Sequence, residues 1–282
     1  MTNKAPGDDR SGIFASLSIR CMSFLIAMLR FFWIGLCALA MLSATRLLLD
    51  LPLRPDRLDG FVFGATLFVY HWTQARKWQR YLAWAMGFLS FVCFLYLDGP
   101  VKIVALVPAL IMAAYYGWRR PGNKGLRMRA NLKPHAVAFT WAWVTVFLAL
   151  SPDLWLKAIF LFAGRAGFIF ALALAYDLHD RNYDLQHGMA TLANQRSVRT
   201  VMRLMYGALF VTVCFAALNY SLDIISLKSI CALIFALALS AGLLNLFFRL
   251  SGIESWRKLL IDGLMILHWL VLVLFTCFLP DF

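Results

Sequence analysis

Apolar residues run along this chain in blocks of sixteen to twenty-three, each closed by a polar turn. The blocks fall at about 27–49, 59–75, 81–97, 101–118, 136–151, 156–176, 203–220, 228–248 and 260–279. A helix crosses the ~30 Å hydrocarbon layer in about 20 apolar residues. The runs are continuous rather than alternating, which argues against a transmembrane barrel. The pattern predicts an all-α fold: a polytopic transmembrane helix bundle of about nine spans. Connections such as Asp98-Gly99-Pro100 and Ser151-Pro152-Asp153 are short and predict antiparallel neighbours. Residues 1–10 are polar, and 11–30 are apolar but interrupted by Arg20 and Arg30. We therefore expect 1–22 to be a cytoplasmic polar or interfacial segment and 23–282 to form a single transmembrane domain.

Composition agrees. Of 282 residues, 62% are hydrophobic and mean hydropathy is +0.74, well above a soluble domain. The formal charge of +13 would suit nucleic acid, but its placement suits a bilayer better, and no nucleic-acid partner is expected. Alternate loops are rich in Lys and Arg. On the other side lie only Arg54, Arg57, Lys102, Lys157 and Lys228. The positive-inside rule then puts the amino terminus in the cytoplasm. The six cysteines form no CxxC pair and read as free, buried thiols.

The polar chemistry concentrates in Asp177-Leu-His-Asp180-Arg-Asn-Tyr-Asp184, directly after the sixth run. Spacings of three and four put three carboxylates on one face of a helix. Clustered carboxylates repel and call for a shared cation. Hard oxygen ligands suit Mg²⁺, which also takes phosphate oxygens. His179 and His187 leave a transition-metal site open. The competing reading pairs the acids with basic residues of nearby loops. Arg165 sits in mid-span and calls for a polar side chain or carbonyl on a neighbouring helix. His268 calls for an interhelical hydrogen bond. Arg46 and Asp262 lie close enough to span ends to snorkel.

The stretch from Ala171 to Leu192, with its D-x-x-D-x-x-x-D pattern, Gly188 and Thr191-Leu192, resembles the second aspartate motif of the UbiA-type membrane prenyltransferase superfamily. Leu132-Lys133-Pro-His-Ala-Val-Ala-Phe-Thr-Trp141-Ala-Trp143 is similar to the start of the fifth helix in a divergent bacterial branch. The resemblance implies a multi-pass protein of the bacterial inner membrane. It implies transfer of a polyprenyl group from a diphosphate donor to a membrane-associated acceptor, assisted by Mg²⁺ on Asp177, Asp180 and Asp184. The same three residues would be catalytic.

The first aspartate motif of that superfamily is lost here. His71, Ala75 and Gln79 stand where an Asn and two Asp are expected. His71, Gln74, Arg76 and Lys77 are then candidates to meet the diphosphate directly, since cationic side chains can contact phosphate in place of a metal. Tyr116-Gly-Trp-Arg119-Arg120 is similar to a further diphosphate-binding element, which adds Tyr116, Arg119 and Arg120. The degenerate metal site keeps a second reading open: a non-catalytic lipid-binding or accessory membrane protein of the same fold. A transporter, with Arg165 near the midplane, is a third.

Overall fold

The structure is a computed structural model that describes residues 9–72, 77–117, 125, 126, 129 and 132–278. Among them lie eleven α-helices: α1 Asp9–Leu48, α2 Arg57–His71, α3 Lys77–Leu95, α4 Gly99–Tyr116, α5 Leu132–Val146, α6 Ile159–His179, α7 Arg181–Gln186, α8 Leu192–Gln195, α9 Val198–Ser221, α10 Leu227–Arg249 and α11 Glu254–Phe278. Short 3₁₀ turns at Phe147–Ala149 and Pro152–Leu154 join α5 to α6. A long helix stands at each of the nine apolar runs. Six contain stretches long and apolar enough to cross a membrane: Leu25–Leu48, Gly99–Tyr116, Ile159–His179, Val198–Ser221, Leu227–Arg249 and Trp256–Cys277. α2 and α5 have 15 residues each, or about 22 Å of helix.

Local chemistry sets the ends. Asp56 caps α2, accepting from the Leu58 and Asp59 amides, and Asp59 reaches back to the Asp56 amide. This reciprocal box satisfies donors that the first helical turn leaves unpaired. Ser197 and Ser226 cap α9 and α10. Asp50 and Asp223 take left-handed φ values of 51° and 54° just past α1 and α9. The following amides then fold back, Leu51 to the Arg46 carbonyl at 2.8 Å and Ile224 to that of Asn219 at 2.9 Å.

The helices pack in a ring. α1 meets α2, α2 meets α3, and the succession α4, α5, α6, α9, α10, α11 returns to α1. Buried residues from α1, α5, α6, α9, α10 and α11 form one continuous core, with Phe31, Met41, Phe168, Met205, Leu244 and Leu264 almost wholly enclosed. Arg46 does not snorkel. It is buried and pairs with Asp56 at 2.9 Å and Asp59 at 3.0 Å, tying α1 to the α2 cap. The thiols divide: Cys37 is buried, whereas Cys214, Cys231 and Cys277 lie on the outer surface. Their apolar runs placed them in helices without fixing which face they occupy.

Between lipid-soluble helices, close backbone approach replaces hydrophobic drive. A Cβ at Gly64 of α2 would fall 2.5 Å from the Met86 carbonyl oxygen of α3, and one at Gly167 of α6 would fall 2.7 Å from Thr212 Oγ1 of α9. The Gly64 contact is with backbone and cannot be relieved by a rotamer change. Gly64→Ala should therefore push α2 off α3 and cost about 1–3 kcal/mol. Unfolding by SDS titration checks it; an unchanged midpoint would show that the two helices separate freely.

Candidate functional site

α6 carries Asp177 to its last turn, ends at His179, and the chain turns at Asp180 into α7, which carries Asp184. Asp177 and Asp184 are each 2% exposed. The helix break sorts the three acids. Asp177 and Asp184 converge on Lys133 of α5, whose Nζ lies 2.7 Å from Asp177 Oδ1 and 3.5 Å from Asp184 Oδ2. Asp180 turns to α11 and pairs with Lys258 at 2.8 Å, with His179 Nε2 at 3.9 Å. The single-face arrangement expected from spacing is not formed, because Asp180 lies between two helices rather than within one. The basic partners are real, but they are lysines of two distant helices.

Lys133 lies in the first turn of α5, ahead of that helix's apolar run. Burial pulls its pKa down; the Asp177 and Asp184 carboxylates more than reverse this and hold it above the ordinary lysine value. The ammonium therefore stays charged throughout the neutral range.

A half-open cavity of about 710 Å³ lies between α2, α4 and α5, within the size range of small-molecule sites. Its walls are apolar and aromatic, with Tyr70, Trp72, Tyr115, Tyr116 and Trp141 among them. Trp141 Nε1 donates to Tyr70 Oη at 3.0 Å, and the Tyr116 hydroxyl donates to the Val69 carbonyl at 3.1 Å, so these rings are held in place. α5 lines the cavity with Val137, Thr140, Trp141 and Val144. Lys133 precedes Val137 by four residues and so shares that face. Tyr115, a wall residue, is also close enough to Lys133 to influence its charge. The Lys133 end of α5 thus lies toward the cavity, although neither Lys133 nor the two aspartates lines it.

The remaining candidates fall in three groups. His71 ends α2 and stacks on Phe31 at 4.2 Å, its Nε2–H donating to the Phe31 carbonyl at 3.0 Å. That nitrogen is committed to α1. Lys77 opens α3 and is exposed. Gln74, Arg76, Arg119 and Arg120 lie outside the described residues.

Arg165 is buried and donates to the Met41 carbonyl at 2.7 Å and the Thr145 hydroxyl at 3.4 Å, the kind of partners its position calls for. His268 is buried with its ring 4.9 Å from Phe168, and its Nδ1 has no hydrogen-bond partner. An interhelical hydrogen bond from that nitrogen is not formed.

Sequence reasoning passed over Lys133 and Lys258 as loop charges. One signal was present. A lysine in the first turn of a helix opposes the macrodipole and needs a carboxylate from elsewhere. Asp262 was also misjudged. It does not snorkel but accepts a hydrogen bond from Tyr176 within the bundle, while Cys37 Sγ donates to the Asp262 carbonyl at 3.3 Å.

Mg²⁺ can be tested against this arrangement. Asp177 Oδ2 and Asp184 Oδ2 accept no hydrogen bond, which would favour an additional cation. Against it, Lys133 Nζ stands between the two carboxylates. That ammonium already supplies positive charge where a bridging ion would sit, and a divalent ion there would have to displace it. Among the described residues no three His, Cys, Asp or Glu side chains are grouped to hold a metal. The site as built does not fit a divalent ion bridging Asp177 and Asp184.

No protein-family model and no curated protein matches the chain. A solved structure does: a digeranylgeranylglyceryl phosphate synthase, studied in membranes. It aligns over 89% of this chain and 95% of its own with a TM-score of 0.57 and 12% identity. At that identity the likeness is one of fold. The chain has the polytopic helical fold of a membrane prenyltransferase.

Proposed function

We propose that this protein is a UbiA-like intramembrane prenyltransferase of the bacterial inner membrane, moving a polyprenyl group from a diphosphate donor to an acceptor at the cytoplasmic face. Residues 1–22 would lie at that face as a polar and interfacial segment, and 23–282 would be the single transmembrane helical domain. The observation that carries the reading is the juxtaposition of an aromatic cavity of about 710 Å³ with a buried ammonium–carboxylate cluster at the Lys133 end of α5. An amphiphile with a long apolar tail and a compact anionic head has this shape.

The chemistry follows from the walls. The bond between the allylic carbon and the diphosphate oxygen breaks, and the electron pair leaves with pyrophosphate. Preorganised positive charge stabilises those oxygens. Lys133 stands at the cavity end of α5, and Arg76, Lys77, Arg119 and Arg120 are proposed to meet the head group with it. The allylic cation left behind is flanked by Tyr70, Tyr115 and Trp141, whose ring faces attract positive charge. The acceptor's nucleophilic atom forms the new bond to carbon and then loses its proton. The apolar walls, closed over by the donor's own tail, would keep water from capturing the cation first.

A second reading is favoured by one observation: all three aspartates are already paired with lysines. A protein that binds the lipid without turning it over would be built in the same way. The two separate in one experiment on purified protein in nanodiscs with labelled geranylgeranyl diphosphate and a panel of aromatic, sugar-phosphate and lipid acceptors. Binding with product supports transfer. Binding without product across the panel supports the accessory role. An absence of binding, with and without Mg²⁺, sinks both.

A further inference from the structure

Two buried carboxylates held by separate helices point at one spot, and that spot is occupied by an ammonium from a third. Lys133 Nζ contacts Asp177 Oδ1 at 2.7 Å and Asp184 Oδ2 at 3.5 Å, and both acids are 2% exposed. Such a pair is unfavourable in a low-dielectric setting without a cation between its members. Here the chain supplies it, and a covalently attached cation is not lost when metal is scarce. The third acid follows the same rule, since Lys258 of α11 takes Asp180 at 2.8 Å. Among the described residues the facing end of α2 offers no replacement ligand. His71 commits its Nε2 to the Phe31 carbonyl, and no metal-holding group of three exists among the described residues.

The lysine is not sealed in. Its side chain keeps 19% of its surface accessible, and it lies on the α5 face that lines the cavity through Val137, Thr140, Trp141 and Val144. An ammonium carries three N–H donors. One is given to Asp177 Oδ1 and Asp184 Oδ2 is met only as an ion pair at 3.5 Å, which leaves donors for an anion.

We propose that Lys133 is a resident cation standing in for a divalent metal, pinned by Asp177 and Asp184, so that this site engages a phosphate-bearing ligand without Mg²⁺. The identity of that ligand rests on the prenyl-diphosphate reading above; the replacement of metal by lysine does not.

The test has two arms on the full chain in nanodiscs. The first uses Mn²⁺ alone, followed by electron paramagnetic resonance of free and bound ion. The wild type should take up no Mn²⁺ at the aspartates up to about millimolar concentration. Lys133→Gln, with its fold checked by helical circular dichroism, should gain one site, and adding Asp177→Asn should remove it. Mn²⁺ bound to the wild type and lost in Asp177→Asn overturns the proposal, and this needs no lysine variant to fold.

The second arm measures binding of inorganic pyrophosphate and of geranylgeranyl diphosphate in excess EDTA. Wild-type affinity should be unchanged by the chelator and fall about 10–100-fold in Lys133→Gln. Binding that appears only when Mg²⁺ is restored also overturns it. If neither phosphate compound binds under any condition, the prenyl-diphosphate reading fails, while the Mn²⁺ arm still decides whether lysine has replaced the metal.

Discussion

Lys133→Met should slow the proposed transfer reaction about 10²–10³-fold and also cost about 3–5 kcal/mol of stability. The two losses have different origins. Activity falls because a preorganised donor to the departing oxygens is gone, and a single such contact has an effect of this size. Stability falls because Asp177 and Asp184, each 2% exposed, are left facing one another without a counter-charge, the costly way to break a buried pair. The origins can be separated. The double variant Lys133→Met with Asp177→Asn removes charge from both sides of the 2.7 Å contact. It should regain only part of the lost stability, since one of the two orphaned carboxylates is neutralised while Asp184 stays without its partner. It should regain little turnover, because the donor is still absent. Lys133→Arg keeps the charge on a longer, planar head and should retain stability better than activity. The measurements are SDS unfolding midpoints and product formation in the same nanodisc preparation. A Lys133→Met protein that unfolds and turns over like wild type would remove the cluster from any role.

The bundle was legible because its signals are local. Each apolar run could only be a helix in lipid, and Asp56, Ser197 and Ser226 mark starts that any reader of capping residues can find. The fifth run was placed at 136–151, whereas α5 is Leu132–Val146 and its tail winds into a 3₁₀ turn at Phe147–Ala149. Apolar content alone missed the polar first turn, which carries the residue that matters most. The acid trio was legible by spacing, yet spacing assumes one unbroken helix. The break at Asp180 divides the three between two lysines 125 residues apart in the chain. No window of sequence contains that information. Lys133 and Lys258 look like topology charges in the sequence because each precedes an apolar run on the basic side, although both belong to helices, α5 and α11. Arg46 and Asp262 were read as surface-seeking for a similar reason: position along a span gives depth, and only packing gives direction. Arg165 was the easier case. A guanidinium in mid-span has few options, and the Met41 carbonyl with the Thr145 hydroxyl supplies one of them.

Ala109→Trp should discriminate among donors by tail length. Ala109 lies on the α4 wall of the cavity, six residues before Tyr115, or about 9 Å of helix from the charged end. Its neighbours on that wall, Ala105, Met112 and Ala113, leave the space that an indole would enter, and the position is exposed rather than packed, so overpacking strain should be small. A tail running along α5 from Val137 toward Val144 would meet the new ring partway. Each excluded five-carbon unit forfeits burial worth up to about 4 kcal/mol at roughly 0.8 kcal/mol per carbon. kcat/KM for a geranylgeranyl donor should fall at least about 100-fold, while a dimethylallyl donor, short enough to stay near Tyr115 and Lys133, should change by less than about threefold. Parallel assays of the two donors on one preparation cancel any general loss of folded protein. Equal losses for both would mean that the ring disturbs the head-group end rather than the tail. No loss for either would mean that the tail leaves sideways into the bilayer and never fills the cavity, and the assignment of that space to the donor would be wrong.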